Sequence, residues 1–107
     1  MIDAVYIVKP DELDKILDSI DEYNINNGIV FSESEWLCNM ITNHFPKICR
    51  ENIFDDTIIE AFLKYQNNTD QSEMGVIILD NYIDDERVNW LIENLESYNI
   101  LLIMTME

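Results

Sequence analysis

Four short apolar runs, AVYIV (4–8), GIVFS (28–32), VIIL (76–79) and ILLIM (100–104), are separated by segments whose apolar residues recur at helical spacing. Apolar runs of this length suit strands buried on both faces, and a 3.6-residue period suits helices with one apolar side. Strands and helices in alternation leave few arrangements. The expected one is a parallel sheet covered by helices and joined by right-handed crossovers. At 107 residues the chain has room for one core. The expectation is therefore a single α/β domain over residues 1–107, with a mainly parallel sheet of about four strands flanked by helices. The strands are placed near 4–8, 29–31, 76–79 and 100–104.

The segments between the runs read as helices. Pro10 suits a helix start, and Leu13, Ile16, Leu17 and Ile20 then share one face. Asn26, Asn27 and Gly28 read as a turn closing that unit. Ser32 and Glu35 have capping-box spacing for a helix carrying Trp36, Leu37, Met40 and Ile41 and stopping near Pro46. Asp55 is placed to cap a third helix with Ile58, Ile59, Phe62 and Leu63 inside. QNNTDQSE (66–73) reads as a polar loop. A fourth helix, about 85–98, has Val88, Leu91, Ile92 and Leu95 at helical spacing, with Asp84 or Asp85 as its cap. The expected core includes Ile7, Leu17, Ile20, Val30, Trp36, Ile59, Phe62, Ile78, Leu91, Leu95 and Leu102.

Charge is the second constraint. There are 22 acids against 6 bases, a net charge of −16. Such a field repels phosphate backbones and anionic membranes and attracts basic surfaces, so neither direct nucleic-acid binding nor membrane binding is expected. The competing reading is that the acids only solvate the surface. No apolar run is long enough to span a membrane. The opening MIDAVYIVKPDE lacks a basic region and a small-residue cleavage site, which leads to the expectation of an intracellular protein with reduced thiols at Cys38 and Cys49.

Several chemistries fail on residue types alone. Gly28 and Gly75 are the only glycines, and neither belongs to a phosphate-binding loop. Cys38, His44 and Cys49 match no compact zinc spacing, so the cysteines are expected in the core and the histidine on the surface. Asp80, Asp84, Asp85 and Glu86 fail the EF-hand pattern, since Tyr82 stands where an acid belongs. No catalytic residue, cofactor or metal is expected. Asp80 does end an apolar strand. In a parallel sheet the carboxyl ends of strands face the ligand crevice, and Ser32 and Thr105 fall at comparable ends.

Residues 29–107 resemble the later part of the ATPase core of the FtsK/HerA-like DNA-packaging ATPases of large DNA viruses. The matching pieces are IVFSESE, FPKICRENIFDDTIIEAFLKYQ, VIILDN, ENLESYNI and LLIMTME, in that order. The resemblance implies that VIILDN is a Walker B strand and Asp80 its Mg²⁺-organising acid. The departures all remove chemistry. The Walker A loop is missing, Asn81 replaces the water-activating acid, Glu96 the turn arginine and Glu107 the terminal glutamine. A glutamate cannot stabilise the charge on a transferring phosphoryl group as an arginine does.

The leading expectation is a non-catalytic acidic protein-interaction module that docks on a basic partner surface. A viral inhibitor that mimics nucleic acid towards an enzyme would be one form of it, at work in a host cytoplasm or a virion. Its docking residues would be Asp11, Glu12, Asp14, Asp18, Asp21 and Glu22, with Asp84, Asp85, Glu86, Glu93 and Glu96. The alternative is a degenerate packaging-ATPase-like fragment acting as a structural or assembly partner in a virus. A metal-dependent phosphohydrolase centred on Asp80 is the third and weakest reading.

Overall fold

The computed structural model describes residues 5–23, 25–68, 73–81 and 86–106. Five strands, β1 (Val5–Val8), β2 (Ile25–Phe31), β3 (Cys49–Glu51), β4 (Met74–Leu79) and β5 (Ile100–Thr105), form one sheet in the order β1-β5-β4-β2-β3. Every pairing is parallel. The connecting helices are α1 (Leu13–Ile20), α2 (Glu35–His44), α3 (Asp56–Asn67) and α4 (Glu86–Asn94), with 3-10 turns at Pro10–Glu12 and Leu95–Tyr98. The α/β expectation holds, with five strands where about four were expected.

Side chains alternate across each strand, so the sheet builds two cores. Val76, Ile78, Leu101 and Ile103 face α1 and α2, meeting Leu13, Leu17, Ile20, Leu37, Cys38 and Ile41. Ile77, Leu79, Leu102 and Met104 face the other way, onto Ile59 and Leu63 of α3 and Val88 and Leu91 of α4. All residues of β4 and β5 are buried, which is why both read as unbroken apolar runs.

Several sequence expectations need correcting. β3 was not foreseen: Cys-Arg-Glu has no apolar pattern because it is an outer strand with two of its three residues exposed. β2 begins at Ile25, so Asn27 and Gly28 lie in a strand and make no turn. Gly28 is needed for close packing: a Cβ there would stand 2.7 Å from Val76 Cγ1 and 2.9 Å from Ile48 Cγ1. The cap of α2 is Ser34, whose hydroxyl accepts from the Leu37 N–H, and Ser32 lies before it. Asp55 does cap α3, accepting from the Thr57 and Ile58 N–H groups. Asp84 and Asp85 lie outside the described residues.

Of the expected core, Ile7 and Trp36 are 54% and 64% exposed. Ile7 is on the outer strand β1 and belongs to neither core cluster. Trp36 lies one residue before Leu37, and the helical period that turns Leu37, Cys38 and Ile41 inward turns it out. Phe62 is half-buried. Cys49, expected in the core, is exposed on β3, and both cysteines are free thiols. Gln66, expected in a loop, lies in the last turn of α3 and is buried. Its amide donates to the Glu73 and Asn99 carbonyls and its oxygen accepts from Asn27 Nδ2. Among the described residues, no helix is long and apolar enough to cross a membrane.

Candidate functional site

The connections leave β2 and β4 in opposite directions: α2 carries the chain outward to β3, α4 back to β5. Adjacent strands with diverging connections open a crevice at their carboxyl ends, the usual ligand position in such sheets. A cavity of about 520 Å³ lies there, lined by Phe31, Ser32, Ser34, Ile53, Phe54, Asp80, Asn81 and Arg87. Arg87 is its base. The guanidinium sits 4.8 Å over the Phe54 ring and 3.7 Å from Asp56 Oδ1.

Asp80, half-buried, anchors this edge. Ser32 Oγ donates to Asp80 Oδ2 at 2.6 Å, and Thr105 Oγ1 donates to Oδ1 at 2.7 Å. Each hydroxyl in turn accepts a backbone N–H, from Ser34 at 3.0 Å and from Asn81 at 2.9 Å. Asn81 has φ 58°, the left-handed conformation that asparagine tolerates, and this aims its N–H at Thr105. The ends of β2, β4 and β5 thus meet on one carboxylate. Ser32, Asp80 and Thr105, read from sequence as strand ends, come together. A hydroxyl donating to a carboxylate has the form of a nucleophile–base pair, but here each hydroxyl also holds a backbone N–H. The only histidine, His44, is engaged with the acids of α1.

The acid surface lies elsewhere. Asp11, Glu12, Asp14, Asp18, Asp21 and Glu22 are all exposed, on the 3-10 turn, α1 and the residues just after it. Their helix buries Leu13, Leu17 and Ile20 beneath them. Glu86 and Glu93 are exposed on α4, across the sheet from α1. Among the described residues, the two acidic sets therefore lie on opposite layers of the sheet. Asp84, Asp85 and Glu107, and the side chain of Glu96, lie outside what the structure describes.

Three of the α1 acids converge on one base. His44, in the last turn of α2, has Nε2 3.0 Å from Asp14 Oδ1. Its Nδ1 is 3.5 Å from Asp21 Oδ2 and 3.7 Å from Asp18 Oδ1. The imidazole is mostly covered, at 13% exposure, while the three acids are 50–66% exposed. Burial works against the charged imidazole, but the Asp14 hydrogen bond and the Asp21 and Asp18 carboxylates outweigh it and raise the His44 pKa. The sequence places His44 on the surface, whereas its imidazole is mostly covered. The available signal was the spacing of Asp14, Asp18 and Asp21, which stacks three acids on one helical side.

Set against protein-family models, curated proteins and solved structures, the chain matches none of them.

Proposed function

We propose that this protein is a non-catalytic interaction module that docks its α1 layer on a basic partner surface. The observation that carries the reading is the division of labour in α1 and its flanks: an apolar stripe buried against the sheet and six acids exposed around it, with Lys15 the one base in residues 10–22. A surface that normally holds phosphates, as on a nucleic-acid-binding enzyme, complements such an array. A viral inhibitor acting by mimicry of nucleic acid is the most specific form of this proposal.

The test uses acids that do not touch His44. Asp11→Asn, Glu12→Gln and Glu22→Gln together remove charge from the proposed face, and Glu86→Gln with Glu93→Gln removes it from the opposite layer. A partner captured from the native cell or virus and identified by mass spectrometry would be purified for kinetics. The first set should slow association and flatten its salt dependence, since peripheral charges act mainly on encounter. The second set should do neither. Equal, small losses from both would reduce the charge to a solubility device.

The alternative, a degenerate packaging-ATPase-like fragment serving as an assembly partner, is favoured by the carboxyl edge. Ser32, Asp80 and Thr105, the first polar residues after the apolar runs of IVFSESE, VIILDN and LLIMTME, share hydrogen bonds through the Asp80 carboxylate. Co-assembly with motor or capsid subunits would support it. Under either reading ATP should not be turned over with Mg²⁺ present, and turnover lost in Asp80→Ala would overturn both.

A further inference from the structure

We infer that Asp18, Asp21 and His44 form a binding site for one divalent, zinc-type cation that clasps α1 to α2. Each residue offers one ligand atom, and all three atoms lie within 4.8 Å of one another. His44 Nδ1 stands 3.7 Å and 3.5 Å from the two aspartate oxygens. Ligand atoms of a tetrahedral zinc with bonds of ~2.0–2.1 Å are about 3.3 Å apart, so small movements of exposed side chains close the site.

Three further features fit a cation. First, Asp14 accepts at His44 Nε2, 3.0 Å away. A carboxylate on the far ring nitrogen orients metal-binding imidazoles and leaves the other nitrogen as a bare donor of its lone pair. Here that nitrogen faces Asp18 and Asp21. Second, the charges do not balance. Among the described residues, His44 is the only base paired with Asp14, Asp18 and Asp21, so three carboxylates share at most one positive charge. A divalent ion on the neutral imidazole leaves the four groups at −1, against −2 with the imidazole protonated and no ion. Third, the mostly covered imidazole is held at the end of a ten-residue helix, while the carboxylates come from the partner helix and its C-cap. An imidazole with two carboxylates suits zinc and its neighbours better than Mg²⁺ or Ca²⁺, which prefer oxygen alone. The remaining coordination positions would be filled by water.

The site shares Asp14, Asp18 and Asp21 with the proposed docking face, but it is tested without a partner, so its failure and the failure of the docking reading are separate results. The full chain, freed of metal with a chelator, would be titrated with Zn²⁺ and with Co²⁺ by calorimetry and absorption, with Mg²⁺ as the comparison. One equivalent of Zn²⁺ per chain should bind, and Co²⁺ should give a tetrahedral spectrum without a thiolate charge-transfer band. Cys49→Ser should change nothing. His44→Gln should abolish the site, and Asp14→Asn should weaken it about 10–100-fold. Should His44→Gln not fold, the pair Asp18→Asn and Asp21→Asn carries the same test, since both side chains are at least half exposed. Asp11→Asn with Glu12→Gln should leave affinity within about twofold, as expected of charges outside the site. Unsaturable uptake, equal losses from the Asp11/Glu12 pair, retained binding in the site variants, or a thiolate band would each overturn the assignment.

Discussion

At the carboxyl edge of the sheet one carboxylate is shared by two hydroxyls, and at the α1–α2 seam one imidazole is shared by three carboxylates. In the Asp80 cluster each donor is matched to an acceptor, and the hydroxyls are themselves held by backbone N–H groups. Ser32 and Thr105 are buried, so these bonds form where water competes poorly. At His44 the acceptors outnumber the donors and most of the carboxylate surface faces solvent, where ion pairs contribute little and salt screens them. One cluster has its polar groups paired within the fold. The other leaves carboxylate charge at the surface that a single imidazole does not balance.

That contrast can be broken in four ways. The largest effect should come from Leu17→Ala, which removes a fully buried side chain from under the acids of α1. The expected cost is about 2–5 kcal/mol by urea denaturation. A cost near 0.5 kcal/mol or less, the scale of a surface change, would mean that charge and not apolar packing holds α1 in place.

Asp80→Ala should come next, at about 2–3 kcal/mol. Hydrogen bonds to a charged group contribute roughly 1.5–3 kcal/mol each, and the freed hydroxyls can turn to other partners. Asp80→Asn should recover part of the loss, because one amide oxygen can still accept. A midpoint unchanged from wild type would leave the edge cluster without structural weight.

His44→Gln in metal-free protein should cost no more than about 1 kcal/mol, since its partners are solvent-exposed. Raising the salt should shrink this difference and leave the Asp80→Ala difference nearly unchanged. Equal salt sensitivity in both would erase the contrast.

The smallest and most specific effect is on pH. The folded-state pKa of His44 is raised above its unfolded value of about 6.5. Its stabilising contribution is therefore complete below that pH and lost as pH rises through the folded value. With a chelator present, the stability gap between wild type and His44→Gln should narrow as pH rises from about 6.5. A gap that widens would show that the folded imidazole disfavours its proton.

The two clusters also differ in how far the sequence announces them. Asp80 follows an apolar run, and the residue that follows a strand must lie at the carboxyl end of the sheet wherever the strand sits. Ser32 and Thr105 follow by the same logic, so the members of that cluster were readable, although their shared hydrogen bonds were not. His44 offered no such cue. Its partners come from a helix at least 23 positions away, and only the packing of α1 beside α2 brings them within reach. Gln66 was lost to a similar limit: a polar residue near a polar loop gives no hint that Asn27 and Asn99, 39 and 33 positions away, bond to it.

What the sequence determined by itself is what depends on neighbours along the chain. Alternating apolar runs and amphipathic periods specify strands, helices and hence a parallel α/β layering, because the backbone periods are local. The exposure of the α1 acids follows from the burial of Leu13, Leu17 and Ile20 for the same reason. The tertiary structure decided that Ile7, in an apolar run like those of the buried strands, stays uncovered on an outer strand. It also decided why Gly28 must lack a side chain, where a three-residue edge strand forms, and which acids gather on His44. Each of these is set by an approach between segments far apart in the chain, and such distances exist only once the sheet and its helices have packed.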